Sequence, residues 1–300
     1  MRYCLNFIII IPSVISITGG IFLLTSLNVI PFDNKNKFIK IFNTIRGDKV
    51  KPAVVRGGGI AVNQLTYYCR SGNIKPGKLL RALGGEKIIL ADEGAVLPEG
   101  ITRFCSNNFS ERLCVNMALG VLRKIKNPLD LKLGIFDPEA HSPDLLFEAL
   151  KLCRNPVAVT FDLLPYDRIR RMALSELGAS AVITRRTSEL LNCDFVVAPT
   201  KICAYIPIKK NAVLLTAGKP YVRLFGEIYR SYAVTLPEVF EKLKPDGLSA
   251  EYFGSALYTL CGFYQLGSLV PLSCYGKTGG QTVKSLAEIF DYHCRVRSLR

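Results

Sequence analysis

The apolar and polar positions divide the chain into a charge-free opening, a basic stretch, and a long body in which short apolar runs alternate with helical stripes. No charged residue occurs between Tyr3 and Phe32, and Phe7 to Leu27 is dominated by Ile, Val, Leu and Phe. About 20 such residues cross ~30 Å of hydrocarbon. Pro12, Gly19 and Gly20 interrupt the run, but membrane helices tolerate both residue types. The pattern predicts a transmembrane anchor over residues 1–33, in contact with the membrane through residues 5–27. A cleaved secretory signal and a buried strand pair are the competing readings. The signal expects a shorter apolar region and a small-residue cleavage site, yet no Ala precedes Ala53.

The flanks give the expected orientation. Arg2 alone precedes the run, whereas Lys35, Lys37, Lys40, Arg46, Lys49, Lys51 and Arg56 follow it against Asp33 and Asp48. A positive flank stays on the cytoplasmic side, so a single-pass protein of the cell membrane with its body in the cytoplasm is expected. Residues 34–51 read as a basic tether that would also suit anionic head groups.

Residues 52–127 are expected to form a small α/β domain with a connecting helix. Pro52 to Arg56 is a β-branched run ending in three glycines, Ile60 to Cys69 and Lys78 to Leu83 read as helical, and Glu86 to Ala91 reads as a strand. Cys114, Met117, Ala118, Val121, Leu122 and Ile125 make one helical stripe, with Asn108 and Glu111 as its capping pair. Residues 128–275 alternate more regularly. Strands are expected at Leu131 to Phe136, Pro156 to Phe161, Ala181 to Thr184 and Asp194 to Ala198. Helices open at Ser142-Pro143-Asp144 and span Tyr166 to Leu177, the second closed by Gly178. Short strands too apolar to be half exposed, alternating with helices, predict a parallel sheet covered on both faces. Further on, Thr235 with Glu238 reads as a capping box, Tyr252 to Tyr264 as a core helix, and residues 276–300 as a linker followed by a basic tail helix.

Composition narrows the classes. Of 300 residues 49% are hydrophobic and 21% charged, which excludes disorder and collagen-like chains. Ten cysteines without a Cys-x-x-Cys pair and two histidines fit neither a zinc module nor a spaced disulfide framework, so reduced thiols and no metal are expected. The net charge of +15 raises nucleic acid as a partner. The excess is dispersed, however, with no recognition-helix motif and no interleaved aromatic-basic run, and nucleic acid is not the expected partner.

Residues 131–200 resemble the dinucleotide-binding half of the shikimate dehydrogenase and glutamyl-tRNA reductase families. The segment YDRIRRMALSELGASAVITRRTSELLNCDFVVAPT has a helix ending in Gly, a short strand, a short helix, and a strand that opens with Asp and closes near Thr. The resemblance implies a Rossmann-like domain and an NAD(P) or nucleotide cofactor, with Asp162 at the ribose and Thr200 near the cofactor. The glycine fingerprint is missing. After the first strand stands Asp137-Pro138-Glu139-Ala140-His141-Ser142, where Gly-x-Gly-x-x-Gly would bring backbone amides to the pyrophosphate. Carboxylates there repel phosphate, so conventional NAD(P) binding is disfavoured.

Asp137, Ser142, Asp162 and Thr200 are therefore the candidate ligand positions, and no catalytic residue can be named. Asp137 and Glu139 could instead hold a cation or an amine, with His141 as a further ligand or base, although Asp137 as a turn cap, Glu139 as a solvated residue and His141 as a surface residue are the preferred account. Two glycine-rich spots are weaker phosphate candidates: Gly57 to Gly59, and Pro271 to Thr278, which is one substitution from a P-loop. The expectation is an α/β, membrane-anchored, Rossmann-like binding or scaffold module with a protein or small-molecule partner and no cofactor. A degenerate NAD(P)- or nucleotide-dependent, oxidoreductase-like enzyme is the alternative.

Overall fold

The computed structural model describes residues 22–31, 48–69 and 74–298. In chain order the strands are β1 (Phe22–Pro31), β2 (Lys49–Gly57), β3 (Ile60–Cys69), β4 (Ile88–Ala91), β5 (Thr102–Arg103), β6 (Leu133–Phe136) and β7 (Val157–Val159). They continue with β8 (Val182–Thr184), β9 (Phe195–Ala198), β10 (Val213–Thr216), β11 (Glu227–Ala233), β12 (Ser273–Gly276) and β13 (Gly279–Thr282). The α-helices are α1 (Pro76–Leu83), α2 (Asn108–Leu122), α3 (Asp144–Leu150), α4 (Leu163–Leu177), α5 (Glu238–Glu241), α6 (Ala250–Leu260) and α7 (Val283–Ser298). Two compact units result, one from Met1–Cys105 with Pro237–Ser249 and one from Ser106–Leu236 with Ala250–Arg300.

The first unit corrects the membrane reading. Its five-stranded sheet has the order β2-β3-β1-β4-β5, with β1 in the middle. β1 runs parallel to β3 from Phe22↔Ile60 to Pro31↔Cys69 and parallel to β4 on its other side. Leu24, Thr25, Ser26 and Leu27 are buried. Residues 22–27 of the expected span are thus an interior strand, and residues 1–21 lie outside the described ones. Among the described residues no helix is long and apolar enough to cross a membrane. The physical reason is an ambiguity of pattern: a parallel strand covered on both faces and a membrane helix both read as an uninterrupted apolar run. Of the expected tether, residues 34–47 lie outside the described ones and Lys49 to Lys51 open β2.

Ile60–Cys69, read as helical, is a strand. Gly58 and Gly59 both have positive φ, 56° and 77°, the conformation a two-residue hairpin turn requires. They fold β3 antiparallel onto β2 from Gly57↔Ile60 to Lys49↔Tyr68, so the triple glycine is a hairpin turn rather than an anion cradle. Val239 and Phe240 of the returning segment lie over Gly58, and Leu243 lies against Gly57. Leu27, Leu65, Tyr67, Leu79, Leu83 and Ile89 form the core of this unit.

The second unit carries an eight-stranded sheet in the order β13-β12-β11-β10-β9-β6-β7-β8. Strands β8 to β11 and β6 to β7 are mutually parallel where they pair. β12 and β13 add an antiparallel hairpin to one edge. Counted from β6, the parallel strands stand in the order 3-2-1-4-5-6, the arrangement of a Rossmann-type sheet. The expected Rossmann-like α/β fold is therefore present, and the resemblance stated above holds at the level of the fold. Gly134 in β6 lets the strand lie against its neighbours, because a Cβ there would stand 2.8 Å from Leu190 Cδ2 and 2.9 Å from Cys193 Sγ.

Several local expectations change. Residues 276–280, read as a linker, turn β12 into β13, and the near-P-loop at 271–278 is strand and turn. The helix expected from the Thr235 capping box is only Glu238–Glu241, with Pro237 at its N-cap position. α2 is capped by Asn107 without a side-chain bond, and Glu111 faces elsewhere. Among the described residues the eight cysteines are free thiols, and no group of residues could hold a metal ion.

Candidate functional site

In a doubly wound sheet, ligands meet the carboxyl ends of the strands where the strand order reverses. Here that point lies between β6 and β9, which pair from Leu133↔Phe195 to Ile135↔Val197. The turn after β6 borders it. Asp137 leaves the strand fully buried, 0% exposed, with its carboxylate folded back into the turn. Oδ1 accepts from the backbone N–H of His141 at 3.0 Å. Oδ2 accepts from the backbone N–H of Ser142 at 2.7 Å and from the Tyr166 hydroxyl at 2.9 Å. Ala140, at φ 54°, supplies the left-handed residue that brings those amides round.

The Tyr166 hydroxyl remains a donor. Burial pushes its pKa well up, and the neighbouring Asp137 charge and the hydrogen bond to it act in the same direction. Ser142, expected as a capping hydroxyl, contributes its main-chain N–H, and the residue at the N-cap position of α3 is Pro143.

Asp162 lies past the end of β7, exposed, and caps α4: its Oδ1 accepts from the Leu164 N–H at 3.3 Å. The buried Thr160 hydroxyl ties this end to the neighbouring turn, reaching the carbonyls of Asp162 at 3.1 Å and Pro138 at 3.4 Å. Asp137 and Asp162 therefore stand on adjacent strands of the same sheet edge. Thr200 follows β9, and its carbonyl accepts from the Thr216 hydroxyl at 3.2 Å. Beside it Lys201 Nζ lies 4.0 Å from the centre of the Tyr221 ring. The structure brings Asp137 and Ser142 into direct contact, and it leaves Asp162 and Thr200 on the strands either side.

Above the turn, His141 stands between two carboxylates. Its Nε2 is 3.1 Å from Glu139 Oε2 and its Nδ1 is 4.0 Å from Glu111 Oε2. Burial pushes the Glu111 carboxyl up; His141 pulls it down, and Asp137 raises it again. A carboxyl perturbed in this way beside an imidazole, at the mouth of a parallel sheet, is a group suited to proton transfer. Glu111 is the residue that sequence reading missed: it lies 30 positions before His141, and its spacing from Asn108 is already explained as a helix start.

The turn does not fit the dinucleotide implied by the fold. Phosphate would need the His141 and Ser142 amides, and both already donate to Asp137. A second anion at hydrogen-bonding distance of that carboxylate would be repelled in a partly desolvated setting.

No family model matches the chain and no curated protein matches it. Among solved structures, it is similar to the Thermococcus litoralis Δ1-pyrroline-2-carboxylate reductase in complex with NADH and L-proline. The identity is 11%, with 60% of this chain and 61% of that chain covered and a TM-score of 0.27. It is also similar to an archaeal alanine dehydrogenase dimer with bound NAD, at 13% identity, 59% and 58% coverage and a TM-score of 0.26. A third is L-tryptophan dehydrogenase from Nostoc punctiforme, at 9% identity, 92% and 81% coverage and a TM-score of 0.28. The chain spans about three-fifths of the length of the first two of these structures.

Proposed function

We propose that the protein is a nucleotide-dependent enzyme with an oxidoreductase-like fold, rather than a scaffold, and that its ligand lies at the reversal of strand order between β6 and β9. The observation that carries this reading is the trio of His141, Glu139 and Glu111 at that point of a 3-2-1-4-5-6 sheet. An imidazole set between two carboxylates at the carboxyl ends of a parallel sheet is an arrangement that supports acid–base chemistry. In this reading His141 moves a proton, Glu111 and Glu139 hold and polarise the ring, and Asp162 offers its second carboxylate oxygen to a ribose hydroxyl.

The scaffold reading keeps one observation in its favour, the closure of the turn by Asp137. Calorimetry of the full chain with adenosine, ATP, S-adenosylmethionine, NAD(H) and NADP(H) separates the two. The enzyme reading expects at least one of these to bind with a Kd of about 1–100 μM and to lose about tenfold on Asp162→Ala. Silence across the whole panel returns the chain to the scaffold class.

A further inference from the structure

We infer that the Asp137 carboxylate takes the place a ligand's diphosphate holds in a dinucleotide-binding sheet, so that this end of the sheet takes a nucleoside or a nucleoside monophosphate and not a dinucleotide clasped at this turn. The inference rests on the nucleotide reading above and narrows its substrate class.

The physical argument is one of donors and charge. A diphosphate is held in such sheets because the turn after the first strand turns successive main-chain N–H groups toward it with no side chain in the way. In this chain the same turn does present successive N–H groups, those of His141 and Ser142, but at 3.0 and 2.7 Å they meet an anion that belongs to the protein. The Tyr166 hydroxyl adds a third donor at 2.9 Å. Asp137 is wholly buried, so it cannot swing out to solvent without leaving three donors behind. A buried donor stripped of its acceptor is costly, and an incoming phosphate would have to displace the carboxylate before gaining those same bonds.

Glu139 adds to the exclusion. It follows Asp137 by two residues, stands 3.1 Å from His141 and is about half exposed, so a second acidic side chain belongs to the same turn. Asp162, exposed past the end of the next strand, is a partner for hydroxyl groups rather than for phosphate. A ligand that keeps its ribose and base, and has no diphosphate to place, satisfies both features.

The test compares ligands that differ only by phosphate, using the full chain. Adenosine, AMP, ADP, NADH and inorganic pyrophosphate are titrated calorimetrically, and the His141 and Ser142 amides are followed by 15N-labelled NMR. The expected result is that adenosine or AMP binds, that ADP and NADH bind no more than about threefold tighter, and that the two amides keep their positions when pyrophosphate is added. A gain of about tenfold or more for ADP or NADH over adenosine, with the His141 and Ser142 amides shifting on saturation, overturns this inference and leaves the nucleotide reading standing. If none of the five ligands binds, the nucleotide reading falls and the substrate class falls with it.

Discussion

The Tyr166 hydroxyl and Asp137 Oδ2 lie 2.9 Å apart, both residues fully buried, and this bond fixes the first turn of α4 to the loop that closes β6. The carboxylate is shared with two main-chain donors, so it is the common acceptor for three groups. Tyr166→Phe removes one bond to a charged acceptor and is expected to cost about 1.5–3 kcal/mol. Asp137→Ala strands the Tyr166 hydroxyl and the Ser142 N–H and is expected to cost more, about 3–5 kcal/mol. Urea unfolding of both variants and of the double variant checks this. The double variant should be less destabilised than the sum, because the two changes remove the same bond.

Leu27, 3% exposed, belongs to the interior of a sheet. Leu27→Ala should therefore destabilise the folded chain by about 2–5 kcal/mol, the usual cost of a large-to-small change in a core. An unchanged unfolding midpoint would return residue 27 to a role outside the sheet.

At the β2–β3 turn the two glycines separate strain from collision. A Cβ on Gly58 would stand 2.9 Å from Val239 Cγ1, whereas one on Gly59 meets nothing within 4 Å. Gly59→Ala is expected to cost about 1 kcal/mol for its positive φ alone, and Gly58→Ala about 2–3 kcal/mol for φ and collision together. Val239→Ala in the Gly58→Ala background should recover the difference. Equal costs at the two glycines would show that the returning segment does not press on the turn.

How far these features can be read from sequence depends on how local their causes are. The alternation from Leu131 to Ala198 predicts β6, α3, β7, α4, β8 and β9 in place, since each is bounded by its own turn or cap, such as Gly178 in its left-handed conformation. β10 and β11 escape this reading because each is preceded by a long irregular segment, residues 199–212 and 217–226, that carries no period. β1 defeats it for a different reason: burial from both faces erases the alternation that marks a strand. In the site, Asp137 is visible as an acid at a strand end, but its inward turn depends on Tyr166, 29 residues away, and on the backbone of Ala140. The pairing of Glu111 with His141 has no sequence signature at all.

Glu251 carries a pH dependence. Its Oε1 accepts from the Ser110 hydroxyl at 2.7 Å and its Oε2 from the Tyr232 N–H at 2.9 Å. Burial pushes its carboxyl up from 4.5, outweighing both bonds, which pull it down. In the unfolded chain the group ionises first, so from about pH 4.5 to the raised native value the native state binds more protons and stability falls as pH rises. Glu251→Gln has no such titration. The stability of the wild type relative to this variant is expected to be greatest below pH 4.5 and to decline as pH rises through that window, then level off. Denaturant unfolding between pH 4 and pH 8 measures it, and a difference that grows with pH contradicts the assignment.

The stretch Pro237–Ser249 leaves the second unit after β11 and returns to it at α6, having packed in between on the hairpin of the first. The two units are therefore interleaved along the chain, and no single scission point divides them. A fragment that stops at Cys105 would lack the Leu243 side chain that rests on Gly57 and the carbonyl that accepts from Gln64 at 3.4 Å. During synthesis, the first unit has to wait for more than 130 further residues to emerge before its hairpin gains that cover.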